Sequence, residues 1–262
     1  MSEDNYKLFR FLNILSFITM VYINVLAVII PINGVTTGQL SNLYSNLFTP
    51  AGITFSIWGV IYLLLLIFII FQAKENGDNL VRNIGPFFII SCLLNGSWIF
   101  AWHYKFTFLS VVIMLSLLLS LIFIYTRLGI GKIQVSNKVK YMVHMPFSIY
   151  LGWISIAAIA NITALLVKVK WRGLGLNPVS WTIFALALGT LITLLLIWNR
   201  NDIFFPVSVL WAFLGIIIKR LSSQGDFSAY IVINVIICMT LILLALLEEM
   251  KKERAVKIIS HN

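Results

Sequence analysis

The sequence predicts an all-α protein whose helices form a polytopic transmembrane bundle. Hydrophobic residues make up 60% of the 262 residues and charged residues only 11%, and the mean hydropathy is +0.98. A water-soluble domain carries about 25% charged residues. Long uncharged stretches also recur along the chain, and a helix that spans a membrane needs about 20 such residues. Because the hydrocarbon offers no water to backbone polar groups, these stretches must be helical.

Eight segments of the chain meet or approach this requirement. They are 11–31, 50–72, 84–103, 106–126, 145–167, 181–198, 203–218 and 227–247. The seventh is the shortest and holds Pro206 near its start, so the sequence leaves open a thin span or a re-entrant piece. Lys7 and Arg10 precede the first segment as they would a signal peptide. Its apolar core is too long and no small-residue cleavage site follows, so we expect a retained helix.

The basic residues predict the orientation of the bundle. The net charge is +10, and eight spans place thirteen of the 19 Lys and Arg residues on the side that holds both termini. Basic residues favour the cytoplasmic side of a membrane. We therefore predict a multi-pass protein of the cell membrane with both termini in the cytoplasm. Because the basic residues lie in loops and tails, the positive net charge reflects the orientation of the spans. We therefore expect no nucleic-acid partner.

Aromatic, amide and small residues share helix faces on three of the segments. Trp58 and Tyr62 are four residues apart, and Trp153, Ala157 and Asn161 recur every four residues. Such spacing places side chains on one face of a helix. Helix packing or an aromatic belt at the membrane surface explains any single Trp. A ligand pocket would use the whole set, and we predict one cavity beneath the uncharged loop 32–49. The candidate ligand-binding residues are Trp58, Tyr62, Asn95, Trp98, Tyr150, Trp153, Ala157 and Asn161.

Three short motifs follow one another along these segments. The first is Ile57-Trp58-Gly59-Val60-Ile61-Tyr62, shortly after Pro50, and the second is Leu94-Asn95-Gly96-Ser97-Trp98. The third runs from Pro146 to Asn161 and includes Tyr150, Trp153 and Ala157. In this order the motifs resemble those of the tryptophan-rich sensory protein family, TspO/MBR, which includes the mitochondrial translocator protein. The resemblance covers roughly residues 10 to 168.

The resemblance implies a division of the chain into two parts. Residues 1–170 would form a TspO-like five-helix core, and residues 171–262 a three-helix transmembrane extension with a charged cytoplasmic tail. The family usually stops after five helices. The added helices would cover a face that smaller members use for dimer contacts. The expected partners are the lipid bilayer and a hydrophobic small molecule, and the sequence leaves a homodimer open.

The resemblance also implies a function. It predicts an intramembrane aromatic pocket for a hydrophobic planar ligand, a tetrapyrrole or a sterol-like molecule, with the protein acting as sensor or ligand handler. Porphyrin or haem would then be a ligand, and we expect no resident cofactor. A small-metabolite transporter and a lipid-modifying membrane enzyme are the alternatives. No Ser-His-Asp set, acidic pair or metal-ligand spacing is visible, so the sequence assigns no catalytic or metal-binding residue and favours a binding protein over an enzyme.

Overall fold

The computed structural model describes residues 3–74, 82–223 and 227–261, and these residues form helices and connecting turns without a β-strand. We number the helices in chain order. They are α1 (Glu3–Ile29), α2 (Thr37–Leu43), α3 (Ile57–Lys74), α4 (Phe87–His103), α5 (Thr107–Arg127), α6 (Met145–Lys168), α7 (Pro178–Arg200), α8 (Phe205–Ser222) and α9 (Ser228–His261). One turn of 3₁₀ helix, Gly52–Ser56, leads into α3. A short helix, Asn137–Val139, and a π-helical stretch, Lys140–His144, lead into α6.

Seven helices in the described part of the chain are long and apolar enough to cross a membrane. An eighth, α4, is apolar but has 17 residues, at the lower limit for a span. The predicted polytopic all-α bundle is therefore confirmed. The seventh predicted segment forms the continuous helix α8 and not a re-entrant piece. Pro206 lies in its first turn, where a missing backbone N–H disturbs no helical hydrogen bond.

Contacts at the two ends of the bundle show that successive long helices run in opposite directions. At one end, Asn13 of α1 donates to Gln72 of α3 over 3.0 Å. At the other end, the Asn33 amide after α1 donates to the carbonyl oxygen of His103 over 3.0 Å, and the backbone N–H of Ala51 donates to Gly215 over 2.9 Å. We call the first end the termini face and the second the α2 face.

Asp202 ties three helices together at the termini face. It lies just before α8 and is 2% exposed. Its carboxylate accepts hydrogen bonds from the hydroxyls of Tyr125 on α5 and Ser148 on α6, at 2.8 and 2.5 Å. It also accepts from the backbone N–H groups of Phe204 and Phe205. These four donors compensate the buried carboxylate for its lost hydration.

Helix α6 lies at the centre of the bundle and packs against α3, α5 and α8. Gly152 allows α8 to approach closely, because a Cβ at that position would lie 2.3 Å from Ser208 Oγ and 2.6 Å from the carbonyl oxygen of Phe205. Lipid tails are as apolar as the core, so close packing and hydrogen bonds between helices, and not hydrophobic burial, hold such a bundle together. The outer helix α9 packs on α7 and α8 and exposes Ile233, Ile236 and Leu244.

Candidate functional site

Trp58 lies at the centre of an aromatic cluster near the α2 face. Its indole stacks on Tyr62 of the same helix, with ring centroids 5.6 Å apart. It also contacts Trp98 of α4 at 6.3 Å, and Tyr150 and Trp153 of α6 at 6.0 and 6.1 Å. Edge-to-face and offset contacts at these distances are the favoured geometries of aromatic pairs. Three helices therefore meet through one indole.

Helix α2 covers the cluster. Its first turn is held by a capping box, in which the Thr36 hydroxyl accepts from the Gln39 backbone N–H and the Gln39 side chain accepts from the Thr36 backbone N–H. The Trp102 indole N–H donates to the Thr37 carbonyl oxygen over 3.4 Å, and Tyr44 contacts the Trp102 ring at 5.7 Å. Burial raises the pKa of the Tyr44 hydroxyl, because it disfavours the charged phenolate.

The surface of α6 below this cover carries small side chains. Ala157, Ala160 and Ala164 line a cavity together with Trp153 and Asn161. The Asn161 side-chain oxygen accepts a hydrogen bond from the Ser110 hydroxyl over 3.1 Å, so α5 fixes the amide. Ala160 and Ala164 are four residues apart, so the same helical periodicity places them in a row beside that of Trp153, Ala157 and Asn161.

Helix α8 supplies a wall of the same cavity through Ala212 and Ile216. It packs closely against the segment before α3. The Trp211 indole N–H donates to the Thr54 carbonyl oxygen over 2.9 Å, and a Cβ on Gly215 would lie 2.0 Å from Thr54 Oγ1. This wall is not predicted by the sequence. The only sequence signal for it is the pair of small residues Ala212 and Gly215, which is too common in membrane helices to name a partner.

A buried chain of hydrogen bonds lies deeper in the bundle. Asn24 of α1 donates to the Asn95 side-chain oxygen over 2.7 Å, and the Asn95 amide donates to the Tyr150 hydroxyl over 3.0 Å. All three side chains are buried. The network links α1, α4 and α6 and supports the aromatic cluster from below.

The structure brings the eight candidate residues into one region in two layers. Trp58, Trp98, Trp153, Ala157 and Asn161 line the cavity. Tyr62, Asn95 and Tyr150 lie beneath it, joined to the lining by the Trp58 ring contacts. Further lining residues come from α2, its flanking loop and α4: Ser41, Tyr44, Phe48, Thr49, Pro50, Phe55 and Trp102.

The cavity is small and uncharged. Its volume is about 50 Å³, whereas sites for drug-sized ligands enclose about 300–1,000 Å³. None of the described residues that line it is charged. The indole N–H groups of Trp58, Trp98 and Trp153 are buried and have no acceptor within the described protein. Each such donor costs about 1–3 kcal/mol when it is buried unpaired.

A comparison with known protein families matches residues 10–247 to the family described as TSPO-like protein. No curated protein and no solved structure matches the chain. The matched range includes α7, α8 and most of α9, which were predicted to form an extension. The division of the chain at residue 170 stays a prediction. The range covers most of the sequence and all the helices that build the cavity. The chain therefore belongs to the TSPO-like protein family.

Proposed function

We propose that this integral membrane protein binds a hydrophobic planar molecule, a tetrapyrrole or a sterol-like compound, in the aromatic cavity, and that it senses or handles that ligand. One observation carries the proposal. Three indole rings from three helices converge on a single cavity, and their N–H groups have no acceptor among the described residues. Packing for stability alone does not require three buried donors to remain unpaired around one cavity, because each unpaired donor costs free energy.

The lining suits a flat, largely apolar molecule with hydrogen-bond acceptors. Indole faces offer stacking surfaces, and the alanines of α6 leave room for a ring system against the helix. An acceptor on the ligand would recover the free energy that the unpaired N–H groups cost. The uncharged lining favours burial of the ring system, so acidic substituents of a tetrapyrrole would remain near the α2 face.

Ligand binding requires the cover to move, because a cavity of about 50 Å³ is too small for such a molecule. The cover is helix α2 with its flanking loop, and within the described part of the chain few side-chain hydrogen bonds hold it to the helices. They include the 3.4 Å bond from Trp102 to Thr37, a bond from Asn46 to Thr163 and a bond from Lys219 to Asn42. Local opening of such a short element costs less than opening of the core.

Quenching of tryptophan fluorescence tests the proposal. The purified protein in lipid nanodiscs would be titrated with protoporphyrin IX and, separately, with a fluorescent sterol. Trp153→Phe removes one unpaired donor from the cavity, whereas Trp198→Phe removes an exposed indole of α7. We expect the wild-type protein to show saturable quenching. The affinity obtained from it should be about three- to tenfold weaker for Trp153→Phe, because one hydrogen bond to the ligand is lost, and unchanged for Trp198→Phe.

Two results would overturn the binding proposal. One is quenching that rises linearly with added ligand, which indicates partition into lipid alone. The other is equal affinity in both variants, which would place the ligand elsewhere. A protein that responds to neither ligand class would make uptake assays in vesicles the next measurement, since a small-metabolite transporter is the main alternative.

A further inference from the structure

A second and larger cavity lies between α6 and α7 near the α2 face. Its volume is about 700 Å³. Apolar residues of both helices form its walls, and three of them, Ile162, Phe184 and Leu188, are exposed on the outside of the bundle. In a membrane this outside is lipid. The groove is therefore open to the acyl chains of the bilayer.

One buried cation, Arg220 in the last turn of α8, lines this groove. It lies two residues beyond the predicted span 203–218, but only 7% of its surface is exposed. Among the described residues it has no acidic partner and its side chain donates no hydrogen bond, and its Nε atom is buried without an acceptor. The neighbouring Lys219, by contrast, donates to the Asn42 side chain over 3.1 Å.

An unpaired cation within a spanning helix is costly and normally has a functional partner. No acidic side chain lines the groove among the residues that the structure describes. An anionic group of the bilayer that enters the groove can supply the compensating negative charge. A guanidinium is well suited to phosphate, because its planar donors match two oxygens at once.

The mouth of the groove has the composition of a membrane interface. Trp171 and Trp181 contact each other with ring centroids 4.8 Å apart, and the Trp181 indole N–H donates to the Gly173 carbonyl oxygen over 2.8 Å. Arg172 is exposed beside them. Indole rings and arginines at this depth lie at the level of lipid headgroups.

We propose that the groove between α6 and α7 binds an anionic phospholipid of the surrounding bilayer. The phosphate pairs with Arg220, the tryptophan pair flanks the headgroup, and one acyl chain lies along the apolar walls. The occupant is a lipid because the groove opens sideways through exposed apolar residues. It is anionic because none of the residues that the structure describes pairs its negative charge with Arg220. This site is separate from the aromatic cavity and does not depend on the function proposed for it.

Lipid retention measured by native mass spectrometry tests the proposal. The full chain would be reconstituted with equal amounts of phosphatidylglycerol and phosphatidylcholine and then transferred to detergent. Arg220→Gln removes the charge but keeps hydrogen-bonding capacity, and Lys219→Gln removes the neighbouring charge as a matched control. We expect wild type and Lys219→Gln to retain phosphatidylglycerol selectively. Arg220→Gln should lose about tenfold in apparent affinity for it, and its melting temperature should no longer rise when that lipid is added.

A second variant keeps the test decisive if Arg220→Gln does not fold. Ile162→Trp adds bulk at an exposed wall of the groove and should also lower retention of phosphatidylglycerol. Equal retention of the two lipids by wild type, or unchanged retention in both variants, would overturn the proposal. Displacement of phosphatidylglycerol by oleic acid at matched concentration would also overturn it, because the occupant would then be a free fatty acid. The variant Ala157→Phe should leave retention unchanged.

Discussion

At the scale of single residues, Ala157 decides whether the aromatic region can hold a ligand. It lines the cavity on α6 between Trp153 and Asn161, which are each four residues away. We expect Ala157→Phe to abolish saturable quenching by protoporphyrin IX while the protein stays folded, because the ring fills space that the ligand needs. The measurement is a quenching titration with a melting curve on the same sample.

The control for this substitution is Ala187→Phe, which makes the same change at an exposed position on α7. It should alter neither quenching nor melting temperature. If Ala157→Phe instead lowers stability by roughly 1–3 kcal/mol, as overpacking of a dense seam does, the region is packing and not a pocket. Unchanged quenching in a folded Ala157→Phe protein would reject the site.

Gly152 is the residue on which the contact between α6 and α8 depends. We expect Gly152→Ala to destabilise the protein by roughly 1–3 kcal/mol, because the new methyl group would lie 2.6 Å from the Phe205 carbonyl oxygen and backbone atoms would have to shift. Thermal unfolding in detergent measures the effect. Gly59→Ala on α3 is the matched control, since a Cβ there meets no described atom within 4 Å outside the neighbouring turns of its own helix. Greater helix propensity should make that control neutral or slightly stabilising.

At the scale of elements, helix α2 behaves as a cover, and hydrogen exchange measures this directly. Only Leu40 of α2 is buried, whereas most residues of α6 are. We expect amides of α2 to exchange much faster than those of α6 in the free protein and to slow when protoporphyrin IX is bound. If the exchange rates of the α2 amides are the same with and without protoporphyrin IX, helix α2 does not take part in binding.

Which elements form is predictable from the sequence, and which faces meet is only partly so. Bilayer thickness dictates the length of an apolar run, so segments such as 106–126 closely match their helices. Helical spacing likewise groups Trp153, Ala157 and Asn161. The wall contributed by α8 and the burial of Arg220 depend on long-range packing between faces that are similarly apolar, and no local pattern encodes that choice.

At the scale of the whole molecule, the alternation of helix directions places both termini on one face. Lys7, Arg127, Lys140 and Arg200 belong to helix ends on that face. We expect this face to be cytoplasmic. A fluorescent protein fused after Asn262 should be bright and alkaline phosphatase at the same position inactive, with the reverse result for insertions after Leu174. Phosphatase activity at the C-terminus would contradict the orientation.

The wall that α8 supplies also determines when, during the life of a molecule, the aromatic cavity comes into existence. A chain is made from its N-terminus, so the Trp-bearing helices α3, α4 and α6 enter the membrane well before α8 does. Until α8 docks, Ala212 and Ile216 are missing from the cavity and Thr54 has no Gly215 to lie against. Competence to bind would therefore arise late in biogenesis. A ligand already in the membrane would bind fully assembled molecules and not those still being synthesised.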